Sequence, residues 1–361
     1  MGAVVEFKRW IAGVSGSIRN TEWRAVVSRR YGSRMRRFSK VCDLTGPGTS
    51  SCNFDVVGTD LGIPVELPGG RELAWIFGDT FSGVAPGTPG WRSPVLLRSA
   101  DQPLEDGVEF CSCAGKGQAR RLVRGSNRGR TTWLPADAIT IGDATYLFAM
   151  RNDGLHNVTQ TRIFASTDAG ESWKKTRAKW SGKHDAGNMQ LITWVQGPPE
   201  DNWIYVFSTG FQRNKPLFLY RVAVDDVTNP KAWVPWGWTE DTGWRWGNTA
   251  TPVLTGQFGE MSLRRVDGKY VLVWFDAGGY QIQAMVLDHP TDNLFETRQY
   301  TLLRGTSWED ENHAVGDVAQ LYGGYIVPGS TLDDLHISVS QWNTTTNKVY
   351  KAMLFHGSLP R

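Results

Sequence analysis

Five short runs of aromatic and β-branched residues recur along this chain, and their spacing constrains the fold more than any other feature. They are Glu72 to Phe81, Ala144 to Met150, Trp203 to Ser208, Lys269 to Phe275 and Leu335 to Ser340, roughly 55 to 75 residues apart and separated by Gly, Asp and Asn. Further strand candidates lie between them, at Thr161 to Ser166, Leu217 to Val224 and Gln281 to Leu287. No long amphipathic helix competes. Four-stranded units of that size in series predict an all-β fold, a five-bladed β-propeller over residues 42–361, with a β-sandwich pair or an elaborated jelly roll as the alternative architecture.

One local motif supports the propeller independently. Ser166-Thr167-Asp168-Ala169-Gly170-Glu171-Ser172-Trp173 fits the Asp-box pattern S-x-D-x-G-x-x-W, a hairpin whose acid and serines satisfy turn backbone groups. Asp168 is therefore expected to be structural.

Charge is unevenly placed. Residues 1–40 hold ten basic and two acidic side chains, so the remainder of this +3 chain carries a net −5. With no recognisable nucleic-acid-binding fold in it, the basic segment 1–41 is expected to be an attachment or leader segment, its stretch from Glu22 to Met35 a helix candidate. Nothing approaches a membrane helix in length, and the N-terminal residues lack a secretory signal pattern, so neither membrane insertion nor signal-directed export is expected. The four cysteines have no metal-site spacing; a Cys42–Cys52 bridge is compatible with the sequence.

The chemistry concentrates in acids at strand ends. Asp60 follows Val56-Val57 in Thr-Asp-Leu-Gly, Asp79 ends Leu73-Ala74-Trp75-Ile76-Phe77 in Gly-Asp-Thr-Phe, and Glu260 stands between Gly259 and an apolar strand start. Aspartate is depleted inside strands, so acids abutting buried segments need partners or a task. Asp55 reads as a turn acid. A propeller brings the inner strands of distant segments around one axis, and paired carboxylates facing each other there are the apparatus of glycoside hydrolysis. Seventeen tryptophans supply surfaces on which sugar faces stack, the group from Trp233 to Trp246 being the densest; most such residues in a β protein are core anchors.

Thr59-Asp60-Leu61-Gly62, Phe77-Gly78-Asp79-Thr80-Phe81, Trp91-Arg92-Ser93-Pro94, the Asp box, Asn188-Met189-Gln190, Gly259-Glu260-Met261-Ser262 and Ser340-Gln341-Trp342 follow one another in this order. From Cys42 onward the chain thereby resembles glycoside hydrolase family 183, once a domain-of-unknown-function family. The resemblance implies a five-bladed propeller and an endo-D-arabinofuranase acting on the D-arabinan of mycobacterial arabinogalactan and lipoarabinomannan, with no cofactor or metal required. It implies Asp60 and Glu260 as the principal catalytic pair, with Asp79 either a third carboxylate that orients or tunes them or the true partner of Asp60. Trp91, Arg92, Asp137, Arg151, Asn188, Gln190, Gln341 and Trp342 are the candidates for contacting substrate. Members without signals resemble tail-associated proteins of phages of actinobacteria, which implies action outside the host cell after release by lysis or on the virion, with residues 1–41 docking to other tail proteins. A non-catalytic carbohydrate-binding propeller is the competing reading. A sialidase is disfavoured, because no Phe-Arg-Ile-Pro precedes the Asp box.

Overall fold

The computed structural model describes residues 35–361 except positions 71, 101, 126 and 128. Most of the basic leader, with its helix candidate short of Met35, lies outside the described residues. The rest is a five-bladed β-propeller built from five sheets, antiparallel except at one edge strand of blade 4. Blade 1 is Leu61–Glu66, Glu72–Phe77, Val95–Ala100 and Phe110–Cys113. Blade 2 is Thr131–Ile141, Ala144–Asp153, Val158–Ser166 and Lys174–Ser181. Blade 3 is Leu191–Gln196, Trp203–Thr209, Phe218–Ala223, Val234–Thr239 and Gly243–Trp246. Blade 4 is Phe258–Val266, Lys269–Asp276, Gln281–Leu287, Tyr300–Thr306 and the parallel edge strand Asp317–Ala319.

Blade 5 closes the ring from both ends of the described chain. Leu321–Ile326, Leu335–Trp342 and Tyr350–Gly357 are completed by Ser39–Asp43, with Ser39 opposite His356. The sheet therefore takes in residues from Ser39, ahead of the Cys42 start expected from sequence. Phe38, wholly buried, packs where a side chain at Gly357 would stand. The thiols of Cys42 and Cys52 are both free, which corrects the bridge allowed by sequence; Cys52 Sγ instead donates to the Gly46 carbonyl at 3.1 Å.

Each of the five apolar runs is the second strand of its own blade, flanked by sheet on both sides, which explains its near-continuous hydrophobicity. In Leu335–Trp342 all eight residues are buried. The core lies between blades, where Trp75, Trp194, Phe148, Phe207 and Phe355 are fully buried. Each such side chain contributes roughly 1.5–3 kcal/mol by leaving water.

The first strands of the blades pack around the axis, and buried hydroxyls join blade 5 to blade 1, blade 3 to blade 4 and blade 4 to blade 5. Leu61 N donates to Ser340 Oγ at 2.8 Å, Leu263 N to Thr193 Oγ1 at 2.6 Å and Ile326 N to Ser262 Oγ at 3.0 Å. In the Asp box, Asp168 Oδ1 accepts from Ser166 Oγ and Ser172 N at 2.8 Å each, while Trp173 Nε1 donates to the Gly170 carbonyl at 3.0 Å. Asp168 is thus bound within the outer hairpin of blade 2.

Candidate active site

A cavity of about 480 Å³ opens at the N-terminal ends of the inner strands. Asp60 and Leu61 reach it from blade 1, Thr132, Leu134 and Pro135 from blade 2, Leu191 from blade 3, Glu260 from blade 4 and Tyr322 from blade 5. Asp79, Trp91, Trp342 and Tyr350 complete the part of the wall that matters for chemistry.

Local backbone aims Asp60 inward. Leu61 and Gly62 both take left-handed φ, +70° and +69°, and the pairing of their strand with Glu72–Phe77 slips there, a bulge that turns the chain at its entry to the axis. Gly78 is required by the same carboxylate: a Cβ at that position would overlap Asp60 Oδ1. Asp60 Oδ2 accepts from the Tyr322 hydroxyl at 3.0 Å, whereas Oδ1 has no hydrogen-bond partner.

Protein surrounds Asp60 and Asp79, which keep only part of their surface open to the cavity. Loss of bulk water pushes the Asp60 carboxyl up to about 7, with the charges of Asp79 and Glu260 adding to the rise and Tyr350 and Tyr322 opposing it. Burial likewise raises Asp79 to about 6, against the pull of Trp91 and Ser93; Trp91 Nε1 donates to its Oδ1 at 2.7 Å. Burial, then the negative charge of Asp60, drives the Tyr322 phenol well above its ordinary value, so it stays a hydrogen-bond donor.

Glu260 is buried, its Oε1 ion-paired with Arg213 Nη2 at 2.6 Å and its Oε2 without a partner. Arg213 takes φ +56° within the loop between Trp203–Thr209 and Phe218–Ala223. Its guanidinium lies 4.9 Å from the centre of the Phe275 ring and 5.2 Å from that of Tyr322. A side chain at Gly259 would press on both Phe275 and the Arg213 stem, which explains the glycine before the acid.

Of the sequence candidates, Asp60, Asp79, Glu260, Trp91 and Trp342 line this cavity. The other six stand outside it, each engaged elsewhere. Arg92 is buried and donates to the carbonyls of Ala119, Gly90 and Asp55. Asp137 sits deeper on the axis, paired with Arg264 at 2.7 Å and accepting from Thr193 Oγ1 at 2.7 Å. Arg151 reaches Thr159 Oγ1 at 3.3 Å, and Asn188 donates to the Asp185 carbonyl at 2.6 Å. Gln190 bridges the Gly182 carbonyl and the amide of Phe211, a cavity residue, so it acts on the wall from behind. Gln341 donates to the Ala319 carbonyl at 2.9 Å and to Glu311. The sequence reading missed Arg213, Tyr322 and Tyr350; of these, only Tyr322, before Gly323-Gly324 at a strand start, carried a local signal.

Residues 45–356 match the model of the family described as Domain of unknown function (DUF4185). The chain belongs to this family. Among relatives of this DUF4185 chain, an "Uncharacterized 35.9 kDa protein in asd 3'region" of Mycolicibacterium smegmatis is 30% identical over 83% of this chain and 91% of its own length. Notoamide biosynthesis cluster protein J of an Aspergillus species is 32% identical over 82% and 83%. Among solved structures, a Bacteroides ovatus protein superposes with a TM-score of 0.59 at 14% identity, covering 85% of this chain and 88% of its own. A GH43_1 enzyme from Xanthomonas citri superposes at 0.54 and 12%, covering 89% and 91%. Those two likenesses establish a shared fold for the DUF4185 chain.

Proposed function

We propose that this protein is an endo-acting glycoside hydrolase that cuts D-arabinofuranosyl linkages in mycobacterial-type arabinan. One observation carries the reading: Asp60 and Asp79 of blade 1 and Glu260 of blade 4 converge on one cavity, with two of the three carboxyls pushed up to about 7 and about 6. Cleavage of a glycosidic bond needs a carboxyl that still holds its proton near neutrality and a second carboxylate that attacks the anomeric carbon or deprotonates water. Asp60, with an unpartnered Oδ1, suits the proton donor: its proton passes to the glycosidic oxygen as the C–O bond breaks. Glu260, oriented by Arg213 and with Oε2 unpaired, suits the second role. Asp79 helps keep the Asp60 proton in place through its charge. Trp91, Trp342 and Tyr350 offer apolar walls to furanose faces.

The arabinan substrate rests on the resemblance carried by the motifs around Asp60 and Asp79, and the relative in Mycolicibacterium smegmatis is in keeping with it. The proposal extends to action outside the host cell, on the virion or after lysis, with residues 1–41 contacting other tail proteins.

The test is product analysis on purified arabinogalactan. The wild type is expected to release arabino-oligosaccharides, and Asp60→Asn and Glu260→Gln to lower turnover by about 10²–10⁴-fold while still binding the polymer. Binding without products in all three proteins overturns hydrolysis and leaves a carbohydrate-binding propeller.

A further inference from the structure

A side-chain cluster that the cavity chemistry does not use occupies the far face of blade 5. His336, second residue of Leu335–Trp342, stands directly opposite His356 of Tyr350–Gly357, the ring centres 5.4 Å apart. Asp334 lies in the turn just before. From His336 to Trp342 at the cavity is six positions of strand, about 20 Å at the usual rise.

The three side chains present one ligand atom each within 4.8 Å of one another. His356 Nδ1 is 3.5 Å from Asp334 Oδ1, and His336 Nδ1 is 3.8 Å from Oδ2. His336 is 1% exposed, yet neither of its ring nitrogens has a hydrogen-bond partner, and His356 Nδ1 is buried without one as well. The Nδ1 atoms of His336 and His356 thus both face the Asp334 carboxylate while buried and unsatisfied, a costly arrangement that calls for an occupant. Ligands held at about 2.0–2.1 Å on a tetrahedral ion are themselves about 3.3 Å apart, close to the 3.5 Å and 3.8 Å at which Asp334 already faces the two imidazoles. Arg36 Nη2 donates to the same Asp334 Oδ1 at 2.7 Å and holds the carboxylate in place.

We propose that Asp334, His336 and His356 form a binding site for one divalent transition-metal ion of the zinc class, with water completing a tetrahedron. Its place in the fold gives it a structural task. His356 is the register partner of both His336 and Ser39, so the ion sits at the seam where the first described strand closes the ring.

The experiment titrates zinc chloride alone into the chelator-treated full-length protein, reading binding by calorimetry and stability by thermal unfolding. One ion per chain with a micromolar or tighter Kd is expected, together with a raised thermal midpoint, and cobalt(II) in its place should give the visible absorption of a tetrahedral site. His356→Gln and Asp334→Asn are each expected to weaken binding at least about tenfold. Asp334 is partly exposed, so Asp334→Asn carries the test if His356→Gln does not fold. Absence of zinc binding to the wild type at roughly 100 μM, or undiminished binding in the folded variants, which the free cysteines would explain, overturns the proposal.

Discussion

Removing one hydroxyl, in Tyr322→Phe, alters the proton affinity of Asp60 while leaving its backbone alone. The hydrogen bond from Tyr322 lowers the Asp60 pKa, so its loss raises that pKa further above about 7. The alkaline limb of kcat/KM against pH is then expected to move up by about half a unit to one unit. A downward shift or none, in a variant that folds normally, counts against Asp60 as proton donor. Stability reports on the same carboxyl. Its folded pKa of about 7 lies above the ordinary 3.8, so the folded state holds the proton more tightly, and that contribution is complete below about pH 4 and lost as pH rises through 7. Asp60→Asn, which cannot ionise, should therefore match the wild type more closely at pH 4 and exceed it by about 2–4 kcal/mol at pH 8 in urea denaturation. An advantage that failed to grow with pH would contradict the raised pKa. Asp60, Asp79 and Glu260 were legible in the sequence because aspartate and glutamate are depleted in strands, and each of these abuts a buried-looking strand end. Arg213 and Tyr350 were not, since their importance comes only from what the fold sets opposite them.

The apolar runs visible in the sequence proved to be second strands, the ones covered on both sides. Two inner strands escaped notice for the converse reason: Leu61–Glu66 contains Gly62 and Pro64, Leu321–Ile326 contains Gly323 and Gly324, and such residues break the pattern by which strands are read. Yet those strands carry the site. The glycine facing Asp60 from the neighbouring strand end shows how tightly they are fitted. Gly78→Ala puts a methyl onto Asp60 Oδ1, and the expected outcome is a loss of about 10²-fold or more in kcat/KM for a stability cost of only about 1–3 kcal/mol. Measuring activity and thermal midpoint on one preparation separates the two. A proportionate fall in both would point to unfolding instead of displacement.

Across the whole molecule, the Asp137–Arg264 pair is a girder on the axis. Its carboxylate also accepts from Thr193 Oγ1 and the Trp194 amide, so blades 2, 3 and 4 meet at one charge. Arg264→Ala strands that buried carboxylate and is expected to cost about 3–5 kcal/mol by chemical denaturation, with Asp137→Ala added to it recovering part of the loss. Simple additivity of the two would show that the pair acts as two separate anchors. Asp137 was drawn into the candidate list by its residue type; only the ring shows that its partner lies 127 positions away. The other long-range pairing belongs to closure. Ser39 and His356 lie 317 positions apart and must find each other for blade 5 to be whole. On a ribosome the closing strand is made first and waits longest, so the wheel stays open until its last spoke emerges, and the exposed edge of Tyr350–Gly357 is the place where a rival strand has its one opportunity to intrude.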